Sequence, residues 1–407
     1  MSRETVQRLG LVVLAIAFVG LTEMIVFNDD LFGARYAGER ISYTAAMWLG
    51  LLGAIAGALV ASRLGAARVA MVGLGIAAIG VVLALVGSKT LGSMITPFGV
   101  GVFRPCPLGA AAAIVSGQRL GRLRFLALGA ASIAGSAATD VSWFLGGYVD
   151  ERLVPHGTSK GAFVIVMFAL AALSIAWAAR ESRSARTDAV VDAPYRMASP
   201  VSDEPPPDSV PPVARTLRGV ALLLFPMMVL VNFSYRIEVS FQLRLPGFGA
   251  SSLSIVRFLV GAGATVYFVR AVRRAVSWSP LRAWAYALVI FGTGLFVAKW
   301  ATYPSDGVAA TTTGLLAALS TPFLWSIASA YAALAVPPRW ATAAVAVWMT
   351  SVSLVAWPLN VFFSSTGVAP LFLNSIVALG VGLYVARRAG DLHRSLFDPP
   401  SPVGTRT

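Results

Sequence analysis

A guanidinium stands near the middle of an otherwise apolar run. Arg104 lies within LGSMITPFGVGVFRPCPLGAAAAIVSG, residues 91–117, a stretch long enough to cross a bilayer. A charge at that depth costs about 2.5 kcal/mol or more, so such a residue usually faces a protein interior or a wet cavity rather than lipid. Pro97, Pro105 and Pro107 flank it, and each removes the amide that would serve the carbonyl one turn earlier, at Ser93, Gly101 and Phe103. A membrane tolerates freed carbonyls only where backbone lines a cavity or is covered by neighbours. Gly99 and Gly101 strip side chains from the turn before the charge, so another helix or a ligand can approach closely. The stretch therefore predicts a broken helix that presents a cation. The plainer alternative is a kinked span whose arginine is neutralised by one structural carboxylate.

Other intramembrane charges extend this chemistry. Glu23 and Asp140 are carboxylates inside apolar runs, and Arg257 is a second buried cation. Burial raises the proton affinity of a carboxylate and a nearby arginine lowers it, so a carboxylate beside a movable cation can take up and release a proton. Glu23 and Asp140 are the proton-coupling candidates, and Asp140 fits equally a fixed counter-ion for Arg104. Arg104 and Arg257 come from opposite halves of the chain and could clamp an anionic or carboxylate-bearing solute. Asn232 and Trp325 are further substrate-binding candidates, although polar and aromatic groups at these positions also serve as interhelical bonds or interfacial anchors. Arg236 and Glu238 read as a wet pair near a loop.

These groups must be held by membrane-spanning helices. Of 407 residues, 57% are hydrophobic and 12% charged, about half the charge of a soluble domain. Twelve segments have the length and apolarity of a span: 10–28, 43–62, 69–88, 92–116, 124–147, 161–179, 217–236, 249–269, 282–300, 308–335, 341–363 and 368–386. Arg3 and Arg8, Arg63 and Arg68, Arg119, Arg122 and Arg124, Arg270, Arg273, Arg274 and Arg282, Arg339, and Arg387, Arg388 and Arg394 fall at alternate ends of these spans. That pattern places both termini in the cytoplasm and predicts a multi-pass protein of a bacterial inner membrane. The net charge of +14 then reflects topology and lipid contact, not a nucleic-acid site.

The run from 180 to 215 is polar, Pro- and Ser-rich and aperiodic, and reads as a disordered cytoplasmic linker. It divides the chain into a six-helix bundle at 1–179 and a second at 216–388, followed by a cytoplasmic tail at 389–407. Two parallel halves with a site between them are the arrangement of many secondary transporters. Gly53 with Gly57, and Gly129, Ser132, Gly135 and Ser136, are small-residue seams for close helix contact. The lone cysteine, Cys106, allows no internal disulfide. The two histidines, His156 in a loop and His393 in the tail, lie outside the predicted spans. No Ser-His-Asp set and no metal-ligand spacing is present, so neither an enzyme nor a cofactor is expected.

The six-plus-six plan resembles the major facilitator superfamily. The segment Ala58 to Gly65 resembles that superfamily's Gly-x-Leu-Ala-Asp-Arg-x-Gly loop, with Arg63 and Gly65 matching and Ser62 in place of the aspartate. GVGVFRPC, residues 99–106, resembles the Gly-x-Gly-x-x-Lys-Pro segment of the proton-coupled oligopeptide transporters, with Arg104 where that family has its lysine. SIAGSA at 132–137 and the stretch from Ser320 and Pro322 to Pro337 and Pro338 resemble further segments of that family. Ile133 stands where its asparagine falls, and Trp325 or a neighbour stands where its glutamate falls. In GLTEMIVFN, residues 20–28, only Glu23 matches the family's Glu-x-x-Glu-Arg motif. The resemblance implies an all-α membrane protein of twelve helices in two bundles, coupled to protons, whose peptide-specific groups are largely replaced. The expected activity is secondary transport of a small carboxylate-bearing or anionic organic solute, with protons, that solute and membrane lipids as partners. The alternative is a non-transporting scaffold that binds a protein partner. A multidrug exporter for lipophilic cations fits less well, because Arg104 and Arg257 would repel its cargo.

Overall fold

The computed structural model describes residues 3–28, 43–116, 123–148, 157–184, 212–242, 250–273, 279–300, 307–366 and 371–396. In chain order the helices are α1 (Arg3–Asn28), α2 (Tyr43–Leu64), α3 (Ala66–Leu85), α4 (Lys89–Phe103), α5 (Cys106–Ser116), α6 (Leu123–Tyr148) and α7 (Gly157–Ser184). After them come α8 (Pro212–Gly219), a π-turn (Val220–Leu224), α9 (Phe225–Gln242), α10 (Ala250–Arg273), α11 (Pro280–Trp300), α12 (Gly307–Leu334), α13 (Ala341–Thr366) and α14 (Leu371–Leu396). Among the described residues, 9 helices are long and apolar enough to cross a membrane, and Trp48–Leu64, Arg124–Ala138 and Phe258–Ala271 are shorter apolar helices. Together they match the twelve expected stretches one for one. The architecture is an all-helical membrane bundle whose outer surface carries Leu59, Leu173 and Leu222, each well exposed. Water would penalise that surface, whereas acyl chains accept it.

Prolines decide where the spans bend. Pro105 separates α4 from α5, a break that its missing amide favours. Pro226 follows the π-turn, where the Phe225 amide bonds back to the Val220 carbonyl and widens the helix by one residue. Pro322 lies inside an unbroken α12. There the Ser320 hydroxyl donates to the Leu316 carbonyl at 2.9 Å and the Thr321 hydroxyl to the Ala317 carbonyl at 2.5 Å, so side chains bond carbonyls of the turn that the proline weakens.

The halves echo each other around these bends. The Thr96 hydroxyl of α4 donates to the Ala77 carbonyl of α3 at 3.4 Å, and the Thr313 hydroxyl of α12 donates to the Gly294 carbonyl of α11 at 3.3 Å. Donor and acceptor are 19 residues apart in both cases. Pro105 and Pro322 also follow their threonines at the same interval. A duplicated plan with parallel halves explains that spacing.

Glycine seams seat α4 against its neighbours. A Cβ on Gly101 would run into the backbone of Gly50 in α2, and one on Gly53 would run into the Phe98 carbonyl. A Cβ on Gly73 of α3 would lie 2.9 Å from the Gly99 carbonyl oxygen, and one on Gly57 would lie 2.8 Å from the Val102 carbonyl oxygen. The expected Gly53–Gly57 seam therefore packs against the charged span. In the second seam Gly135 packs on Ile16, while Gly129 only grazes Phe268. Bundle meets bundle along α2 with α13, α6 with α10 and α12, and α5 with α13.

Two boundaries differ from expectation. α7 runs on to Ser184 and α8 begins at Pro212, so only 185–211 of the expected linker is left, and it lies outside the described residues. The segment expected as tail from 389 is helical through Leu396, because Gly382, Val385, Ala386, Ala389 and His393 form one continuous buried stripe.

Gly73→Leu should destabilise the protein by about 1–3 kcal/mol, the usual cost of overpacking. Gly75→Leu, two residues along the same helix, has open space at its Cβ and should leave the melting temperature unchanged or raised. Thermal unfolding of the two variants in one detergent checks the contrast.

Candidate functional site

Arg104 is the residue on which α4 ends. Its amide still bonds the Val100 carbonyl at 3.0 Å, and the next helical amide, that of Gly109, reaches the Pro105 carbonyl at 3.2 Å. The expected break is therefore present, one residue after the charge. Along the span, Arg104 is about 22 Å from Lys89 and about 18 Å from Ser116, at about 1.5 Å per residue. That is near the centre of a hydrocarbon layer about 30 Å thick.

The surroundings of Arg104 are unusual for a charge at that depth. Of the apolar 18-residue core of the Lys89–Ser116 span 78% is buried in protein, against 28% of that of Ser159–Arg180, so this span is internal and α7 is peripheral. Val102, Phe103 and Cys106 are buried, yet Arg104 between them is exposed. The exposed apolar side chains nearer the start of α4 are Leu91 and Met94, after the exposed polar Lys89 and Thr90. At 3.6 residues per turn, Arg104 projects about 140° round the axis from Leu91 and about 80° from Met94. The arginine therefore leaves the helix on a different face from the apolar stripe. Cys106 adds no reactive group, since it is buried and its thiol is engaged with the Val102 carbonyl at 3.1 Å.

The other expected site residues are placed as follows. Asp140 is half-buried in α6, and both it and Arg104 have interaction partners. Asn232 in α9 and Trp325 in α12 are half-buried, and Trp325 packs against the apolar core. The side chains of Glu23 and Arg257 lie outside the described residues, although their backbones are helical in α1 and α10. So do the side chains of Arg236 and Glu238, and His156 entirely.

Polar groups that composition could not single out also emerge. On α13, Trp348 Nε1 and Thr350 Oγ1 are buried without a hydrogen-bond partner among the described residues. An unmet buried donor costs about 1–3 kcal/mol, so it marks a place where a polar solute or water gains a bond. The Trp348 ring meets Phe225 of α9 edge-on at 6.1 Å. Asn374 of α14 donates to the Ser234 hydroxyl of α9 at 2.9 Å, joining two helices of one half. Nearer the arginine-rich end, Tyr331 and His393 are hydrogen-bonded at 2.8 Å. Hydropathy puts His393 in a tail, whereas the buried stripe running down α14 is the signal that finds it.

Comparison with known proteins gives a fold but no close relative. No family model matches the sequence, and neither does any curated protein. Solved structures do match in shape. One is the major facilitator superfamily transporter FucP in its outward conformation, at TM-score 0.60 and 14% identity, covering 95% of this chain and 99% of that one. Another is the proton:xylose symporter XylE bound to 6-bromo-6-deoxy-D-glucose, at TM-score 0.60 and 11% identity, covering 95% of both chains. The chain thus has the major facilitator fold over nearly its whole length, and it is a multi-pass membrane protein.

A water-filled space around Arg104 would have a direct chemical signature. With Cys106 replaced by serine, a cysteine at position 104 should react with a membrane-impermeant maleimide at least about ten times faster than one at Met94. Both positions are geometrically exposed, but a thiol among acyl chains does not ionise and meets no aqueous reagent. Equal rates would place both on the same side of the helix.

Proposed function

We propose that the protein is a secondary transporter that moves a small carboxylate-bearing or anionic organic solute by alternating access, driven by protons. The observation that carries this reading is Arg104: a guanidinium at mid-span, at a helix break, exposed on the most internal span and offset round the axis from the exposed apolar Leu91 and Met94. Lipid on that face would cost several kcal/mol. A hydrated vestibule between two bundles removes that cost and supplies a binding site for an anion. The freed carbonyls of Gly101 and Phe103 beside it supply acceptors, and a carboxylate with a nearby hydroxyl or amine would use both.

In this mechanism the solute's anion sits on Arg104. Arg257, from the opposite half, closes over it, and Asn232 and Trp325 orient the remainder. Glu23 and Asp140 are the proton carriers. Protonation of either removes a competing anion from Arg104 and favours solute entry, and deprotonation after the bundles rock recaptures the guanidinium and expels the solute. The proton coupling named for XylE is in keeping with this, and a guanidinium at mid-span favours a charged cargo over a neutral one. Peptide-like solutes follow from the 99–106 segment alone. The arginine-rich end is the cytoplasmic one in this reading, with both termini there.

Purified protein in proteoliposomes should accumulate a labelled anionic solute from a mixed panel when a proton gradient is imposed. Arg104→Ala should lower uptake at limiting solute by about 10- to 100-fold, the worth of one charge-assisted contact, with an unchanged elution profile. Glu23→Gln or Asp140→Asn, whichever residue carries the proton, should abolish gradient-driven accumulation while sparing solute exchange. A protein that moves nothing across the panel, or that works equally well without Arg104, refutes the proposal.

A further inference from the structure

At the arginine-rich end of the bundle, side chains from both halves and from the end of α14 meet. The Phe125 ring, at the start of α6, lies 4.7 Å from that of Tyr331, near the end of α12, and 5.2 Å from the His393 ring in an edge-on contact. Tyr331 and His393 are themselves edge-on at 5.8 Å, with the hydroxyl and Nδ1 hydrogen-bonded at 2.8 Å. Phe125, Tyr331 and His393 are all buried, and the Arg124 guanidinium covers the outer side of Phe125 at 5.2 Å. On the neighbouring bundle seam, a Cβ on Gly109 of α5 would run into Thr342 at the start of α13.

His393 is the unusual member. It follows the kink at Arg388, where φ is −108° and ψ is 15°, in the last turns of α14. In the turns after the kink Leu392 and Leu396 pack against the core, and the helix meets α8. The exposed face of these turns is polar, with Asp391 paired to Arg394. The segment therefore binds one half through Tyr331 and touches the other through Phe125. Separation of the halves at this end must pull Phe125 away from two rings at once.

We propose that the segment after Arg388 is a strap that holds the arginine-rich end shut, with the Tyr331–His393 bond as its clasp. The bond fixes the His393 ring at the angle that meets Phe125, and its loss lets the end open. The strap rests on the reading that the two halves move, but not on what they carry. It also assigns the segment a role that a passive cytoplasmic tail would not have.

Spin labels on Arg68→Cys and Arg282→Cys, exposed at the starts of α3 and α11 in opposite halves, report the width of this end in a Cys106→Ser background. Pulsed electron resonance should give one main separation for the parent. His393→Ala and Tyr331→Phe should each raise the ratio of a longer separation to the parental one about five-fold, the size expected for one hydrogen bond. His393→Gln, which keeps a hydrogen-bonding side chain, should stay nearer the parent than His393→Ala. Distributions that match the parent in both His393→Ala and Tyr331→Phe overturn the strap. If His393→Ala does not fold, Tyr331→Phe, which keeps the ring, decides alone. Flux in the parent separates the two proposals: transport with unshifted distances removes the strap only, and opened distances without transport remove the transport reading only.

Discussion

A bilayer offers no water to a charge or to a carbonyl that has lost its amide. Everything around α4 and α5 follows from that constraint. The span carries a guanidinium and two prolines at its centre, so protein must cover its backbone while leaving its cation somewhere to go. The glycines supply the cover. Gly53 and Gly57 of α2 and Gly73 of α3 bring two other backbones against α4 at distances no side chain would allow. These contacts are dispersive and non-directional individually, but they leave no gap for lipid to enter. A looser bundle would expose the broken turn, and a tighter one has no room.

The same contacts explain which parts of the molecule the sequence disclosed. Span existence depends on composition over some twenty residues, and all twelve expected stretches have helical counterparts. The break after Arg104 depends on proline chemistry, which is local and therefore readable. Which face of a helix meets which neighbour is not local. Gly53 and Gly57 announced a seam, but only the fold assigns it to Phe98 and Val102 of the charged span. The glutamate, aspartate and arginine candidates are legible as types at a depth, and nothing in the chain fixes whether two of them meet.

His393 shows the other limit. Polar residues and arginines after the last apolar run look like a tail, because hydropathy ends where the membrane ends. The helix does not end there. Its buried stripe continues through Ala389 to His393, since protein still covers that face where the apolar run has ended. A helical period read past the hydropathy edge would have exposed it. Membrane depth and protein burial are separate quantities, and reading one for the other hides the residues that work at the ends of a bundle.

The echo between the halves sharpens the role of the charge. Thr321 precedes Pro322 as Arg104 precedes Pro105, at the same interval beyond Thr96 and Thr313. In the second half the residue before the proline is a threonine whose hydroxyl is spent on the Ala317 carbonyl, and α12 stays whole. In the first half it is an arginine, exposed, and the helix breaks. A duplicated scaffold needed only one of its two proline sites to remain structurally repaired. The other gave up helix continuity and placed a cation where its partner keeps a hydroxyl. Selection for stability alone favours the threonine solution at both sites, because an arginine at that depth is costly. Its presence on one side only is the asymmetry from which the proposed anion site is argued: in that reading the anionic end of the solute belongs to the first half and the rest of it to the second.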